Sequence, residues 1–118
     1  MQRGIDESGI GIWDLDLGTH AMFWSGATRR LFGVSPDEPV SYELFLSRLQ
    51  PEDRARTELA IQRSAASGCK FDIQCRIRET PEGSRWVRAR GGIVTDTDGV
   101  PRRLSGVVLD IHDQKRLE

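Results

Sequence analysis

Cysteine, histidine and tyrosine are scarce in this chain. Its 118 residues include two cysteines, two histidines and one tyrosine. Cys69 and Cys75 fall in one predicted strand, roughly 20 Å apart when extended, which is too far for a disulfide. A metal site would need both histidines and both cysteines to converge from distant segments, so no metal site is predicted. Reduced, buried thiols are typical of a cytoplasmic protein, and we expect that location.

Net charge and long apolar runs are also missing. Seventeen basic residues against eighteen acidic ones leave a net charge of -1, which excludes the strongly positive field of a nucleic-acid-binding protein. No apolar stretch approaches the roughly 18 residues that cross a bilayer, and the N-terminus lacks the charged and then apolar regions of a signal peptide. We therefore expect no nucleic-acid partner and no membrane contact by this fragment, whether or not a longer parent protein is anchored elsewhere.

The length and the apolar content fit one globular domain. A first strand over residues 10–17 places Trp13, Leu15 and Leu17 on one face. A short strand at 21–24 follows, and then a helix that Ser25 caps and Gly33 ends.

Two further helices are predicted in the middle of the chain. Ser41 caps the first of them, and Pro51 begins the second, which Gly68 ends. The second helix shows a thin apolar face made of Ala55, Leu59 and Ala66.

From residue 69 onward apolar and polar residues alternate with a period of two, as in half-buried antiparallel strands. Three such strands follow one another. In the last of them we expect Val107, Leu109 and Ile111 to face inward, and Val108 to face outward. Helices followed by consecutive antiparallel strands predict an α+β domain in which the helices cover one face of the sheet.

Several segments in this order resemble a PAS domain, the sensory and docking module of signalling proteins. They are Trp13–Leu17, Trp24–Gly33, Gln50–Arg54, Gly68–Ile77, Arg85–Gly91 and Arg103–Lys115. The resemblance implies a five-stranded sheet in the order 2-1-5-4-3. It also implies an N-terminal flank at 1–9, a PAS domain at 10–112 and the start of an exit helix at 113–118.

The resemblance also implies a ligand cavity between the sheet and the helices. Its lining would be Phe45, Leu49, Leu59, Phe71, Ile73, Cys75, Val87 and Ala89. Nearly all of these are apolar, so a small apolar ligand and a filled core remain the two alternatives. Light-sensing relatives carry a reactive cysteine that residues 46–50 lack, and haem-binding relatives use a histidine that 51–67 lack. A covalent flavin adduct and haem are therefore disfavoured, and the cofactor is unknown.

Asp110 and Ile111 match the Asp-Ile-Thr signature that ends many PAS domains, while His112 replaces the threonine. By that resemblance these three residues couple the last strand to a signalling helix, with the Asp110 carboxylate bracing the junction. Asp113 is expected to cap the outgoing helix. The partner implied is a C-terminal effector domain, such as a histidine kinase or a cyclic-di-GMP enzyme.

The outer sheet face carries arginines and aspartates typical of a solvated surface. Apolar Trp86 and Val108 among these charges indicate a contact surface, which Ile10 and Ile12 would extend. A homodimer is therefore expected. We predict a non-catalytic sensory domain, and the alternative is a constitutive dimerisation module without a ligand. No arrangement of nucleophile and base supports an enzyme.

Overall fold

Five antiparallel strands and four helices make up the described part of the chain, residues 10–80 and 83–117 of a computed structural model. They are β1 (Ile10–Asp16), β2 (Met22–Trp24), α1 (Gly26–Phe32), α2 (Tyr42–Ser47), α3 (Pro51–Ser67), β3 (Phe71–Thr80), β4 (Gly83–Thr95), β5 (Pro101–Asp110) and α4 (His112–Arg116). The flank predicted at 1–9 lies outside the described residues.

The sheet has the order β2-β1-β5-β4-β3, which confirms the predicted α+β fold. β5 is the central strand, because it is hydrogen-bonded to β1 on one side and to β4 on the other. The last strand of the chain is therefore held along both of its edges before it reaches α4.

Local sequence signals set the helix ends. Gly33 and Gly68 end α1 and α3 with φ angles of 73° and 75°, a conformation that favours glycine. Ser41 caps α2 by accepting a hydrogen bond from the Leu44 amide at 3.0 Å. Ser25 stands before α1 but does not cap it, because its hydroxyl accepts a hydrogen bond from the Ile12 amide of β1 at 2.9 Å.

The buried face of α3 differs from the predicted one. The buried residues are Asp53, Thr57, Ile61 and Ser64, whereas Leu59 is 46% exposed, and Ala55 and Ala66 are exposed as well. Spacings of four, four and three residues put the buried set on one helical stripe. A prediction based on hydropathy therefore buries the wrong face of α3, because three of the four buried side chains are polar.

The phase of β5 is also opposite to the predicted one. Val108 is 2% exposed and Leu104 is fully buried, while Val107 and Leu109 lie opposite Ile12 and Ile10 of β1 on the outer face. Three consecutive apolar residues, 107–109, carry no alternation from which a strand's phase could be derived. Ile111 is buried as predicted, since the chain turns after Asp110.

Residues 48–53 cover the exposed edge of β3. The Gln50 amide donates to the Arg76 carbonyl at 2.9 Å, and the Arg78 amide donates to the Arg48 carbonyl at 2.9 Å. The Asp53 carboxylate accepts a hydrogen bond from the Arg76 amide at 2.8 Å. Covering an edge in this way blocks the addition of a further strand.

Candidate functional site

A small apolar cavity lies between the inner face of the sheet and the helices. Its volume is about 30 Å³, enough for one or two water molecules. The Thr28 hydroxyl in its wall already donates a hydrogen bond to the Ile12 carbonyl at 2.9 Å. The lining residues are Trp13, Leu15, Met22, Trp24, Thr28, Phe32, Phe45, Ile61, Phe71, Ala89 and Val108.

Aromatic rings in contact form much of the cavity wall. Trp24 stacks on Phe32 with centroids 4.6 Å apart, and Phe45 meets both rings at steep angles. On the sheet side, the Trp13 ring packs edge-on against Phe71 at 5.6 Å, and its indole N–H donates to the Val107 carbonyl at 2.9 Å. These ring contacts keep the cavity small, because each ring fills a large volume in a fixed orientation.

The junction between β5 and α4 is organised by Asp110. Its Oδ2 accepts a hydrogen bond from Arg85 Nε at 2.7 Å, and its Oδ1 accepts one from the His112 amide at 2.9 Å. One carboxylate thus ties β4 to the first residue of α4. The capping role predicted for Asp113 is wrong, because α4 begins at His112 and Ile111 takes the cap position without a side-chain cap hydrogen bond; the first amide of α4 donates to Asp110 instead.

Trp86 of β4 receives the next contacts of α4. The Ile111 amide donates to the Trp86 carbonyl at 3.1 Å, and the Trp86 amide donates to His112 Nδ1 at 3.4 Å. Lys115 Nζ lies 4.5 Å from the centroid of the indole, and Arg76 Cζ lies 5.4 Å from it. The exit helix therefore packs against the sheet through both the backbone and the ring of Trp86.

Comparison with known proteins decides the family. The family model described as the PAS fold matches residues 21–108. The chain belongs to the PAS family. The resemblance in the sequence is thereby confirmed.

The relatives of this PAS domain are signalling proteins. It is 47% identical over 114 residues to the sensor protein FixL of Bradyrhizobium diazoefficiens, covering 97% of this chain and 23% of that protein. It is 31% identical over 118 residues to a blue-light-activated histidine kinase of Brucella anthropi, covering 100% of this chain and 23% of the kinase. The chain thus spans about a quarter of these relatives.

A solved structure of a sensory box histidine kinase/response regulator from Burkholderia thailandensis E264 has the same fold. The TM-score is 0.76 at 29% identity, over 98% of this chain and 86% of that one. This PAS domain is accordingly a sensory domain of the kind found in histidine kinases.

The predicted cavity residues of the PAS domain are only partly brought together. Phe45, Phe71 and Ala89 line the cavity. A second group packs elsewhere in the core: Leu49, Ile73, Cys75 and Val87. The prediction for Leu59 was wrong, because this side chain lies on the exposed side of α3.

The residues that the prediction missed come from the N-terminal third, from α3 and from β5, which contributes Val108. Trp13, Trp24 and Phe32 were not among the predicted lining residues, yet they line the cavity. Their signal was in the sequence, since three large aromatic rings on inward positions of neighbouring elements must meet. Ile61 carried the signal for the correct face of α3, as its most apolar buried member.

The two thiols are in different environments. Burial raises the pKa of Cys75 to about 12, and the nearby Asp53 charge adds to this effect. Cys69 is exposed, because β3 begins only at Phe71. Hydrogen bonds from the Ser67 and Ser64 hydroxyls lower the pKa of the Cys69 thiol. The prediction of two buried cysteines therefore holds for Cys75 and is wrong for Cys69.

The outer sheet face combines an apolar patch with ion pairs. Ile10 lies opposite Leu109, and Ile12 lies opposite Val107; we call these four residues the outer patch. Phe23, on the neighbouring strand, is 57% exposed. The interface role predicted for Val108 is wrong, since its side chain is in the core.

Ion pairs flank this patch. Asp72 of β3 accepts two hydrogen bonds from Arg88 of β4, at 2.7 and 2.8 Å. Asp14 of β1 accepts a hydrogen bond from Arg103 of β5 at 3.1 Å. These pairs run across neighbouring strands on the same face as the outer patch.

Among the side chains that the structure describes, no three of His, Cys, Asp or Glu are grouped in a way that could hold a metal ion. The helices in the described part of the chain are too short or too polar to cross a membrane.

Proposed function

We propose that this PAS domain senses a signal without catalysing a reaction and passes it through Asp110 to an effector that follows α4. We further propose that the effector is a histidine kinase and that the protein acts in the cytoplasm. The observation that carries the proposal is the carboxylate of Asp110, which joins Arg85 of β4 to the first amide of α4. The names of the relatives support the choice of effector.

The central position of β5 suits it to transmit a movement. β5 is paired with β1 and β4, so a shift in either neighbour changes the position of its C-terminal end. Asp110 then carries that shift to the backbone of α4. A signal acts only if it binds the two positions of the strand with different affinities.

The ligand we propose is a small apolar molecule. The wall of the cavity is apolar, and the hydroxyl of Thr28 is already hydrogen-bonded. At about 30 Å³ the cavity must widen for any molecule larger than a few atoms. Such widening separates the aromatic rings of β2, α1 and α2, which supplies the difference between the bound and free states.

A non-catalytic role is supported by the chemistry of the buried thiol. With its pKa raised to about 12, Cys75 stays protonated at neutral pH and is a poor nucleophile. The nearby Asp53 carboxylate is a poor general base, because the effect of burial is outweighed by the hydrogen bonds of Arg76, which hold the pKa of Asp53 below its ordinary value. The proposal therefore assigns Cys75 to packing.

The second candidate function is a constitutive dimerisation module. The outer patch favours it, because four apolar side chains on neighbouring strands beside an exposed Phe23 are typical of a contact surface. We propose a homodimer through this patch. Sedimentation of the wild-type chain and of Leu109→Glu tests the contact, and a wild-type monomer at high concentration would contradict it.

The experiment for the signalling role replaces Asp110 in the full-length parent protein. Asp110→Ala should change autophosphorylation from ATP, because the first amide of α4 loses the carboxylate that Arg85 of β4 holds. Asp113→Ala is the matched control, since Asp113 has an 89% exposed side chain and a distant 3.7 Å pair within α4. Unchanged output with intact folding would reject the role of Asp110. Synthesis of cyclic-di-GMP from GTP would instead reject the choice of effector.

A further inference from the structure

We infer that Asp53, Arg76, Trp86 and Lys115 form a second connection, through which α3 positions the exit helix α4. This inference rests on the proposed function, in which α4 carries the output. The four residues come from four different elements: α3, β3, β4 and α4. The connection crosses β3 and β4 between the two helices, separate from the tie between Asp110 and Arg85.

The first step is a carboxylate–guanidinium pair at the start of α3. Asp53 is 3% exposed, and its oxygens accept hydrogen bonds from Arg76 Nε at 3.1 Å and Arg76 Nη2 at 2.9 Å. The Arg76 backbone amide donates to the same carboxylate at 2.8 Å. Three hydrogen bonds between one buried carboxylate and one residue leave the guanidinium little freedom to move independently of α3.

The second step is the contact between Arg76 and Trp86. The two residues lie directly opposite each other in the pairing of β3 with β4. Arg76 Cζ is 5.4 Å from the centroid of the indole, within the range of a cation–π contact. Asp53 sets the position of the guanidinium, and the guanidinium in turn influences the position of the Trp86 indole.

The third step joins Trp86 to α4. Lys115 Nζ lies 4.5 Å from the centroid of the same indole. The Trp86 backbone also accepts a hydrogen bond from the Ile111 amide and donates one to the His112 side chain, at the start of α4. A displacement of the indole must consequently move the Lys115 side chain or break its contact.

The origin of the displacement is the cavity. Ile61 of α3 is one of its lining residues, and it lies eight residues after Asp53, about 12 Å along the helix axis. A helix moves as a rigid rod over this distance, so a ligand that displaces Ile61 also displaces Asp53. The inference thus gives the cavity a route to α4 that does not pass through β5.

The test uses the amide NMR spectrum of the 118-residue chain. Asp53→Asn is compared in the wild-type background and in the Trp86→Leu background. We expect Asp53→Asn to shift the resonances of residues 112–117, and the shift to become several-fold smaller when Trp86 is replaced. A merely structural role for Asp53 would shift these resonances equally in both backgrounds, and that result would overturn the inference.

The matched control is Asp72→Asn, which removes a carboxylate paired with Arg88 on the same sheet face. It should leave the resonances of α4 unchanged, and an equal shift from this control would also overturn the inference. If Asp53→Asn does not fold, Arg76→Lys serves in its place, because it keeps a positive charge beside Asp53 while removing the planar guanidinium. Residues 112–117 should again shift, and an unchanged α4 would overturn the inference.

Failure of this connection and failure of the proposed function are distinguishable. The NMR experiment needs no effector, so unchanged α4 resonances reject the connection and leave the Asp110→Ala result standing. Conversely, an unchanged output in Asp110→Ala with shifted α4 resonances in Asp53→Asn rejects the role of Asp110 alone.

Discussion

The indole of Trp13 lies across Gly91, and a methyl group at position 91 would stand 3.0 Å from two of its ring carbons. Gly106 lies between them in the sheet, opposite Trp13 on one side and Gly91 on the other. Phe71 is the next residue across, opposite Gly91. The two glycines leave the space through which the Trp13 ring reaches Phe71 to close one wall of the cavity.

Gly106→Ala should destabilise the domain strongly. The new methyl group would overlap the Arg90 carbonyl oxygen, so β4 and β5 must move apart, at a cost of about 1–3 kcal/mol in the free energy of unfolding. Gly92→Ala is the control, since its methyl group would meet nothing within 4 Å. Urea unfolding measures both variants. Equal stability of the two variants would contradict the close packing of Gly106 between β1 and β4.

Val108→Ala and Val107→Ala should differ because the two side chains point to opposite faces. Val108 is buried beside the cavity, and removing two carbons from the core should cost about 2 kcal/mol. Val107→Ala should change the free energy of unfolding by less than about 0.5 kcal/mol in the monomer. Thermal or urea unfolding checks the difference. A larger loss of stability in Val107→Ala than in Val108→Ala would support the inward orientation of Val107 that the sequence predicted.

Asp53 should make the domain sensitive to acid. Burial by itself raises the pKa of Asp53, but the hydrogen bonds and charge of Arg76 hold it below its ordinary value. A carboxylate with a lowered folded-state pKa contributes stability that is fully present above the unfolded-state pKa, near 4, and is lost as pH falls through the folded-state pKa. The free energy of unfolding of the wild type should therefore be about 2 kcal/mol higher than that of Asp53→Asn at pH 7.

That difference should shrink as the pH falls below about 5, toward the lowered pKa. Urea unfolding of both proteins between neutral and acidic pH measures it. A difference that stays constant over the whole pH range would show that the Asp53 charge does not stabilise the fold.

Iodoacetamide should separate the two thiols. Cys69 is exposed and the Ser67 and Ser64 hydroxyls lower its pKa, so it should react in the native protein with a pH midpoint below the usual one for cysteine. Cys75 should react only after unfolding. Mass spectrometry of the alkylated native chain checks this, with Cys69→Ser as the control. Rapid alkylation of native Cys69→Ser would contradict the burial of Cys75.

The elements that were predicted well are those whose signals are local. Gly33 and Gly68 end helices because the left-handed conformation favours glycine. In β3 and β4, apolar and charged residues alternate, so the inner positions of Phe71 and Val87 follow from period two. The role of Asp110 at the junction was expected from the PAS signature, whose residues are contiguous, but its partner Arg85 lies 25 residues away and was not predicted.

The elements that were predicted badly have signals that tertiary partners supply. Asp53 lies on the buried stripe of α3 because Arg76, twenty-three residues later, neutralises its carboxylate. That partner is not visible from the helix itself, so the exposed Leu59 was assigned to the core.

The sequence by itself determined the kinds of the elements, their order along the chain and the glycines that end α1 and α3, and its PAS signature indicated the family and Asp110 at the start of the exit helix. These follow from backbone preferences and from residues close together along the chain. Only the tertiary structure decided which face of α3 and of β5 is buried and which side chains line the cavity. The reason is that a polar group enters the core when a distant group pairs with it, and three apolar residues in a row leave the choice of face to the strands on either side.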